Sequence, residues 1–329
     1  MTVRPSEGHP IQARAFWVTA PGQGEIRDEA LAGPGPDEVV VRAVFSGISR
    51  GTEALVFSGR VPESERERMR APFQSGLLPG PVKYGYASVG VVEAGPAELR
   101  DRHVFALYPH QSRYVVPRSA VHVLPANVPP GRAVLAANVE TAINGVWDAG
   151  PSIGDRVTVI GAGTVGCLVA WLVGRMPGCL VTLVDLDASR AAAAQALGVW
   201  FALPQDAPRD VDLVVHASGS PDGLALALET AGFEATVTEL SWYGDGVVPL
   251  KLGGAFHARR LTIASSQVGH VGARRRGRWT TARRLDLALA LLADPVLDVL
   301  ITGESAFEDL PSVMPALLTP GALCHRIRY

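Results

Sequence analysis

The chain has 329 residues, a formal net charge of −2 at pH 7, 47% hydrophobic and 19% charged residues, and three cysteines, Cys167, Cys179 and Cys324. The length accommodates two domains with a sizeable core, the charge balance excludes a global field that would recruit nucleic acid or a membrane surface, and cysteines without a Cys-x-x-Cys pair carry no metal signature and fit a reduced cytoplasmic compartment. The opening MTVRPSEGHP lacks the apolar core of a signal peptide, no uncharged apolar run is long enough to span a bilayer, and only Lys83 and Lys251 of the 30 basic residues are lysines, a bias that lowers the weight of any arginine cluster.

Residues Gln12 to Gly131 read as short β segments broken by Gly and Pro, with strands over Val39–Val44, Ser88–Val92 and Val115–Val116. Helical periodicity there is slight outside Pro62–Arg70, whose SERERMR reads as a polar surface turn or helix; the loop Pro62 to Pro81 is expected to shape a site entrance. From Arg132 the texture changes. Apolar runs at Val157–Ile160, Leu180–Val184, Val211–Val215, Thr236–Leu240 and Leu261–Ser265 alternate with helical stretches at Thr164–Val173, Ser189–Leu197 and Pro221–Ala231. This alternation predicts an α/β chain with a doubly wound parallel sheet. A helix over Thr280–Leu292 follows, and the tail from Leu297 to Tyr329 mixes short strands and a helix. The expected organisation is a β-rich domain at 1–138, a nucleotide domain at 139–268, and a closing segment at 269–329 that folds back on the first.

Residues Val157 to Gly166 read VTVIGAGTVG: an apolar strand, then Gly161-Ala162-Gly163-Thr164-Val165-Gly166, then an apolar helix, then a strand ending in Asp185. That order of strand, glycine turn, helix, strand and acid is a dinucleotide-binding unit. Gly161 allows the tight turn, Gly163 lets the backbone approach a pyrophosphate at the helix N-terminus, and Gly166 lets the helix pack close to the strand. Asp185 is placed to accept hydrogen bonds from the adenosine ribose and to repel a 2′-phosphate, which favours NAD over NADP. Asp187 and Arg190 stand nearby, and arginine is able to accept a phosphate.

With a β lobe, this unit near the middle, and a closing Gly321-Ala322-Leu323-Cys324-His325-Arg326-Ile327, nearly the whole chain resembles the medium-chain dehydrogenase/reductase superfamily of zinc alcohol dehydrogenases. The resemblance implies a GroES-like β-rich catalytic domain joined to a Rossmann domain. Zinc-using members carry a Gly-Val/Ile-Cys segment and a Gly-His-Glu segment; here Ser49 takes the cysteine position, Tyr86 the histidine position and Ala87 the glutamate position. The third ligand region retains only Glu140, which cannot hold zinc alone, and the four-cysteine structural loop is absent, so a zinc-free member is expected. The run GISRGTE with a downstream GYASVG resembles, locally, the branch that includes bacteriochlorophyllide hydroxyethyl dehydrogenases.

Without a Lewis acid, hydrogen-bond donors must manage the developing oxyanion. Tyr86 leads the candidates as donor and general acid, with Ser49 and Thr52 beside it in sequence and Glu140 as a proton acceptor or a group that orients Tyr86. Glu140 reads equally as a structural carboxylate paired with an arginine; Glu53 is a further candidate that reads more readily as a surface residue. The resemblance implies that Thr141 touches the nicotinamide and that Arg50 and Arg326 reach the pyrophosphate. Strand ends line the cofactor crevice, which adds Ser218 and Ser241 to the glycine turn with Thr164 and Val165. His216 reads as a packed or ribose-contacting residue. Glu239, in an otherwise apolar strand, is costly to bury unpaired and should pair with His257 or an arginine, or face the pocket that Trp242 and Tyr243 would wall. Tyr108-Pro109-His110-Gln111 is a candidate substrate-facing segment. The arginines from Arg274 to Arg284 are either a site for an anionic substrate or a solvated loop, with no aromatic interleaving to suggest nucleic acid.

The expected activity is zinc-independent, NAD(H)-linked interconversion of a secondary alcohol and a ketone. The rivals are reduction of an activated C=C bond in an enone or quinone, and nucleotide binding without catalysis as a redox sensor. A small-molecule substrate, no nucleic acid, no membrane, and a homodimer paired through the edge strand Leu261–Ser265 complete the expectation.

Overall fold

The computed structural model describes residues 10–318 and 321–329, so most of the opening segment read for a signal peptide lies outside the described residues. The chain forms two compact units, residues 1–134 with 303–329, and residues 135–302. Only 303–329 return to the first unit. Residues 269–302, expected to return with them, cluster with the second unit, because the helix Thr281–Leu291 turns Leu285, Ala288 and Leu289 inward there and buries Arg284 against the helix Ala136–Ala149.

The first unit is built on antiparallel strands. A long hairpin, Ile11–Ala20 with Gln23–Leu31, turns at Gly22, whose φ of 75° lies in the left-handed region that glycine enters without strain. It leads a four-stranded sheet completed by Val82–Lys83 and Ser75–Gly76. In the second sheet Glu38–Ile48 is central. It pairs with Ser88–Ala94, with Arg113–Pro117 and with the returning strand Cys324–Arg328. Its core is aliphatic and aromatic: Val39, Val41, Val92, Val104, Tyr114 and Val116 are buried together. Two short elements depart from the sequence reading. Pro62–Arg70 holds only a single 3-10 turn at Glu63–Glu65, and GISRGTE runs into a helix, Arg50–Phe57. That helix escapes a periodicity test because it is eight residues long and its inward face includes a glutamate, Glu53, alongside Leu55, Val56 and Phe57.

The second unit is a six-stranded parallel sheet. Spatially the strands run Trp200–Ala202, Leu180–Val184, Arg156–Ile160, Val211–His216, Ala231–Glu239 and Thr262–Ser265. Numbered in chain order within this unit they read 3-2-1-4-5-6, the doubly wound order whose switch point lies beside the first strand. The near-continuous apolar runs follow from coverage on both faces: Val157, Val159, Leu183, Val214 and Val215 are almost fully buried. The helix Ala136–Ala149, not read from the sequence, packs here and stops at Gly150, whose φ of 65° makes a left-handed C-cap. Among the described residues no helix is long and apolar enough to cross a membrane.

Candidate active site

The glycine turn has the geometry of a nucleotide cradle. Gly161 has φ 104°, and a Cβ there would lie 2.6 Å from the Ser218 backbone. A side chain on Gly166 would collide with the Gly161 carbonyl, so helix and turn touch only because both residues are glycine. A Cβ on Gly163 would meet nothing within 4 Å, which leaves its backbone open to a ligand. The helix Thr164–Val173 starts there without a side-chain cap. Its first amides, including those of Val165 and Gly166, are by helix geometry without intrahelical acceptors, and they suit an anion. Asp185 is half-buried at the tip of the second strand; its Oδ2 accepts from Ala162 N–H at 2.6 Å and its Oδ1 from Asp187 N–H at 2.9 Å. The carboxylate thus braces the glycine turn while each oxygen keeps a further lone pair for a ribose hydroxyl. These residues fit a dinucleotide. Arg190 is held 3.3 Å from Asp187.

Other expected cofactor contacts are engaged elsewhere. Thr141 donates its hydroxyl to Ala137 O at 2.9 Å within its own helix. Arg326 donates Nε to Glu304 at 2.6 Å and lies 4.7 Å over the Phe45 ring, so its charge is matched inside the first unit rather than held for a phosphate. Arg50 opens the helix Arg50–Phe57 and is half-buried. Ser241 accepts from Gly219 N–H at 3.0 Å, and Ser218 bonds His216.

In the first unit the structure gathers the hydroxyl groups of Tyr86 and Ser49, which stand at metal-ligand positions by the family resemblance, with that of Thr52. Tyr86 is hydrogen-bonded by the Ser49 and Thr52 side chains. Burial, then the nearby negative charge of Glu53, push its phenol up to about 12, against the lowering effect of those two hydroxyls, so it stays protonated at neutral pH. Glu53 is 2% exposed, which corrects its reading as a surface residue. Its Oε1 accepts from Ser49 N–H at 2.8 Å and its Oε2 faces His110 Nε2 at 2.9 Å. On the other side of the ring Nδ1 lies 2.7 Å from Ser46 Oγ, and Ser46 Oγ lies 3.0 Å from the Tyr329 hydroxyl. A carboxylate only accepts, so Nε2–H donates to Glu53, while Nδ1 is hydrogen-bonded to Ser46. The result is a buried hydrogen-bonded line, Tyr329–Ser46–His110–Glu53, that ends beside Tyr86. His110 was a candidate by position alone; Ser46 and Tyr329 were not legible. The single signal available was Glu53 itself, a carboxylate inside the apolar ALVF context.

Glu140 is corrected. It is 4% exposed and bound by Arg284 Nε at 3.0 Å, and Arg284 also donates to Asn144 Oδ1 and to the Val268 and His270 carbonyls. A carboxylate locked into a buried ion pair is a packing element of the second unit, not a proton acceptor. Glu239 pairs with neither His257 nor an arginine but with His216, 2.7 Å away, in register across neighbouring strands. Burial opposes its ionisation, yet the His216 hydrogen bond and charge together with Ser241 hold it below the ordinary carboxylate range. In the arginine-rich loop, aromatic rings do interleave in space: Trp147 and Trp279 lie 4.8 Å apart, with Arg283 4.0 Å over Trp279 and Arg275 5.8 Å over Trp147.

The donor set does not fit a catalytic zinc. Ser49, Tyr86 and Ala87 replace the soft or basic ligands, Glu53 and Glu140 are committed to neighbours, and among the described residues no group of three or more His, Cys, Asp or Glu side chains converges.

No family model matches the chain. It is 25% identical to D-guloside 3-dehydrogenase of Escherichia coli over 272 residues, 74% of this chain and 77% of that protein. It is 29% identical to 2-desacetyl-2-hydroxyethyl bacteriochlorophyllide A dehydrogenase of Cereibacter sphaeroides over 242 residues, 68% and 72% of the two chains. The fold matches the crystal structure of L-idonate 5-dehydrogenase from Escherichia coli with a TM-score of 0.80 at 14% identity, over 97% of this chain and 99% of that one. With the glycine cradle, the 3-2-1-4-5-6 sheet and the returning C-terminal strand, these likenesses converge: the chain has the fold of the medium-chain dehydrogenases/reductases, is similar in sequence to dehydrogenases, and is an NAD(P)-dependent oxidoreductase.

Proposed function

We propose that the protein interconverts a secondary alcohol and a ketone without zinc, using NAD(H), with Tyr86 as the hydrogen-bond donor to the reacting oxygen. The observation that carries this reading is the cluster of Tyr86, Ser49 and Thr52 hydroxyls beside the buried Glu53–His110 pair, with Tyr86 and Ser49 at positions where zinc-using members of the family carry ligands. A bound nicotinamide supplies the hydride donor or acceptor. Tyr86, protonated at neutral pH, stabilises the developing alkoxide and gives it a proton in the reductive direction. Ser49 and Thr52 hold the phenol oxygen in place, and the Glu53–His110–Ser46 line keeps negative charge close by, which favours the protonated phenol. The relatives' names point the same way: one is named a guloside 3-dehydrogenase and the other a dehydrogenase of a hydroxyethyl bacteriochlorophyllide. Elemental analysis of the purified protein, with assays of NADH oxidation against ketones and enones, tests it. Activity on ketones without stoichiometric zinc is the expected outcome; faster turnover of enones would favour reduction of an activated C=C bond.

The preference for NAD(H) rests on Asp185. Because both its oxygens already brace backbone amides, Asp185→Ala removes a ribose acceptor and loosens the turn together. NADH binding is expected to weaken on the order of tenfold, the equivalent of one good hydrogen bond, with NADPH affected less. Fluorescence titration of both cofactors reads it, and tighter binding of NADPH by the native protein would reject the preference.

We also propose a homodimer. Among the described residues the strand Thr262–Ser265 ends the parallel sheet with one unpaired edge, which two copies related by a two-fold axis would satisfy. Sedimentation at micromolar concentration should give twice the chain mass; a monomer there contradicts the proposal.

A further inference from the structure

Three side chains at the ends of two adjacent strands of the second unit have an arrangement that hydride transfer does not use. His216 closes the strand Val211–His216 and Glu239 closes Ala231–Glu239, in direct register. His216 Nδ1 lies 2.7 Å from Glu239 Oε2, and its Nε2 lies 2.6 Å from Ser218 Oγ. The His216 side chain is wholly buried, the Glu239 side chain is 11% exposed, and Ser218 faces solvent. Glu239 is fixed in turn by Ser241 N–H at 2.7 Å and by the Tyr243 hydroxyl at 2.9 Å. A carboxylate accepts only, so Nδ1 carries a proton and donates it to Glu239. Nε2 is then the ring nitrogen placed to take the Ser218 proton. This is the order of groups by which a serine–histidine–acid triad raises the nucleophilicity of its hydroxyl.

The surroundings complete the chemistry. The helix Pro221–Thr230 starts three residues after Ser218 and has no side-chain cap. Its Asp222 and Gly223 amides are by helix geometry without intrahelical acceptors and present the positive end of the helix. A Cβ on Gly223 would lie 2.8 Å from His216 Nε2 and would strike Ser218 Oγ, so this first turn is pressed against the reacting pair and only glycine permits it.

We propose that Ser218 is an activated nucleophile and that the second unit carries an acyl-transfer site for short, activated carboxylic esters. Ser218 Oγ attacks the ester carbonyl carbon, and its proton passes to His216 Nε2. The bond from that carbon to the alcohol oxygen breaks, and His216 returns the proton to the leaving alkoxide. Water then attacks the acyl-serine, with His216 taking one of its protons and handing it to Ser218 Oγ as the carboxylic acid leaves. The sum is ester plus water giving acid plus alcohol, with no change of oxidation state. Glu239 positions and charges the imidazole and does not itself exchange the proton.

The test uses the whole chain without nucleotide, so it is independent of the hydride-transfer reading. p-Nitrophenyl acetate should give a burst of one p-nitrophenolate per chain, and an alkyl fluorophosphonate should label one residue, mapped by mass spectrometry to Ser218. Ser218→Ala should abolish both. Glu239→Gln, with circular dichroism unchanged, should slow acylation by on the order of a hundredfold or more. Gly223→Ala should do so as well, by forcing Ser218 and His216 apart, and it serves if Ser218→Ala does not fold. Label on another residue, or native acylation rates in Ser218→Ala or in Glu239→Gln, would overturn the proposal.

Discussion

Replacing Tyr86 by phenylalanine is expected to lower turnover by on the order of a hundredfold or more, the usual cost of deleting one preorganised donor to a developing oxyanion. The substitution keeps the ring, its edge-on contact with Tyr84 at 6.1 Å, and the packing of the half-buried site, while it removes the hydroxyl that Ser49 and Thr52 hold. The loss should fall on kcat more than on KM, since the hydrogen bond strengthens as charge develops on the substrate oxygen. Cofactor affinity should hold, because the glycine turn and Asp185 belong to the second unit. The pH profile gives a second reading. The phenol titrates at about 12, so the native reductive rate should show no loss from phenol ionisation as pH rises through neutrality. Steady-state kinetics of Tyr86→Phe with an accepted ketone decides it: near-native turnover would move the donor role to Ser49 or Thr52.

Breaking the Arg284–Glu140 pair is expected to cost about 3–5 kcal/mol of stability in the second unit. Arg284 is 1% exposed and shares its guanidinium among Glu140, Asn144 and two backbone carbonyls. Glu140→Ala leaves that cation buried and unmatched, which costs more than the pair itself contributes. The double replacement Glu140→Leu with Arg284→Met removes both charges for side chains of similar reach, and it should recover much of the loss. Urea unfolding followed by tryptophan fluorescence reports on this unit through Trp147 and Trp279. The alternative, that Glu140 is the proton acceptor, predicts the opposite pattern: Glu140→Gln would fold with native stability and fail to turn over.

The nucleotide unit was legible from VTVIGAGTVG and Asp185 because its determinants are local. A strand, a turn that only glycine can make, a helix N-terminus and an acid follow one another within thirty residues, and each is dictated by backbone sterics or by the period of apolar residues. The departures at Ser49, Tyr86 and Ala87 were legible for a related reason: a metal site demands particular atoms, and their replacement shows in the letters. What only the tertiary structure decided were the partners of buried charge. Glu53 meets His110 from 57 residues away, Glu140 meets Arg284 across 144, and His216 meets Glu239 through strand register. A buried carboxylate must find a donor, but which donor depends on how sheets and helices stack, and no short-range pattern encodes that. The helix Arg50–Phe57 and the point at which the chain returns to the first unit belong to the same class, since burial of their apolar faces is settled by neighbours distant in sequence.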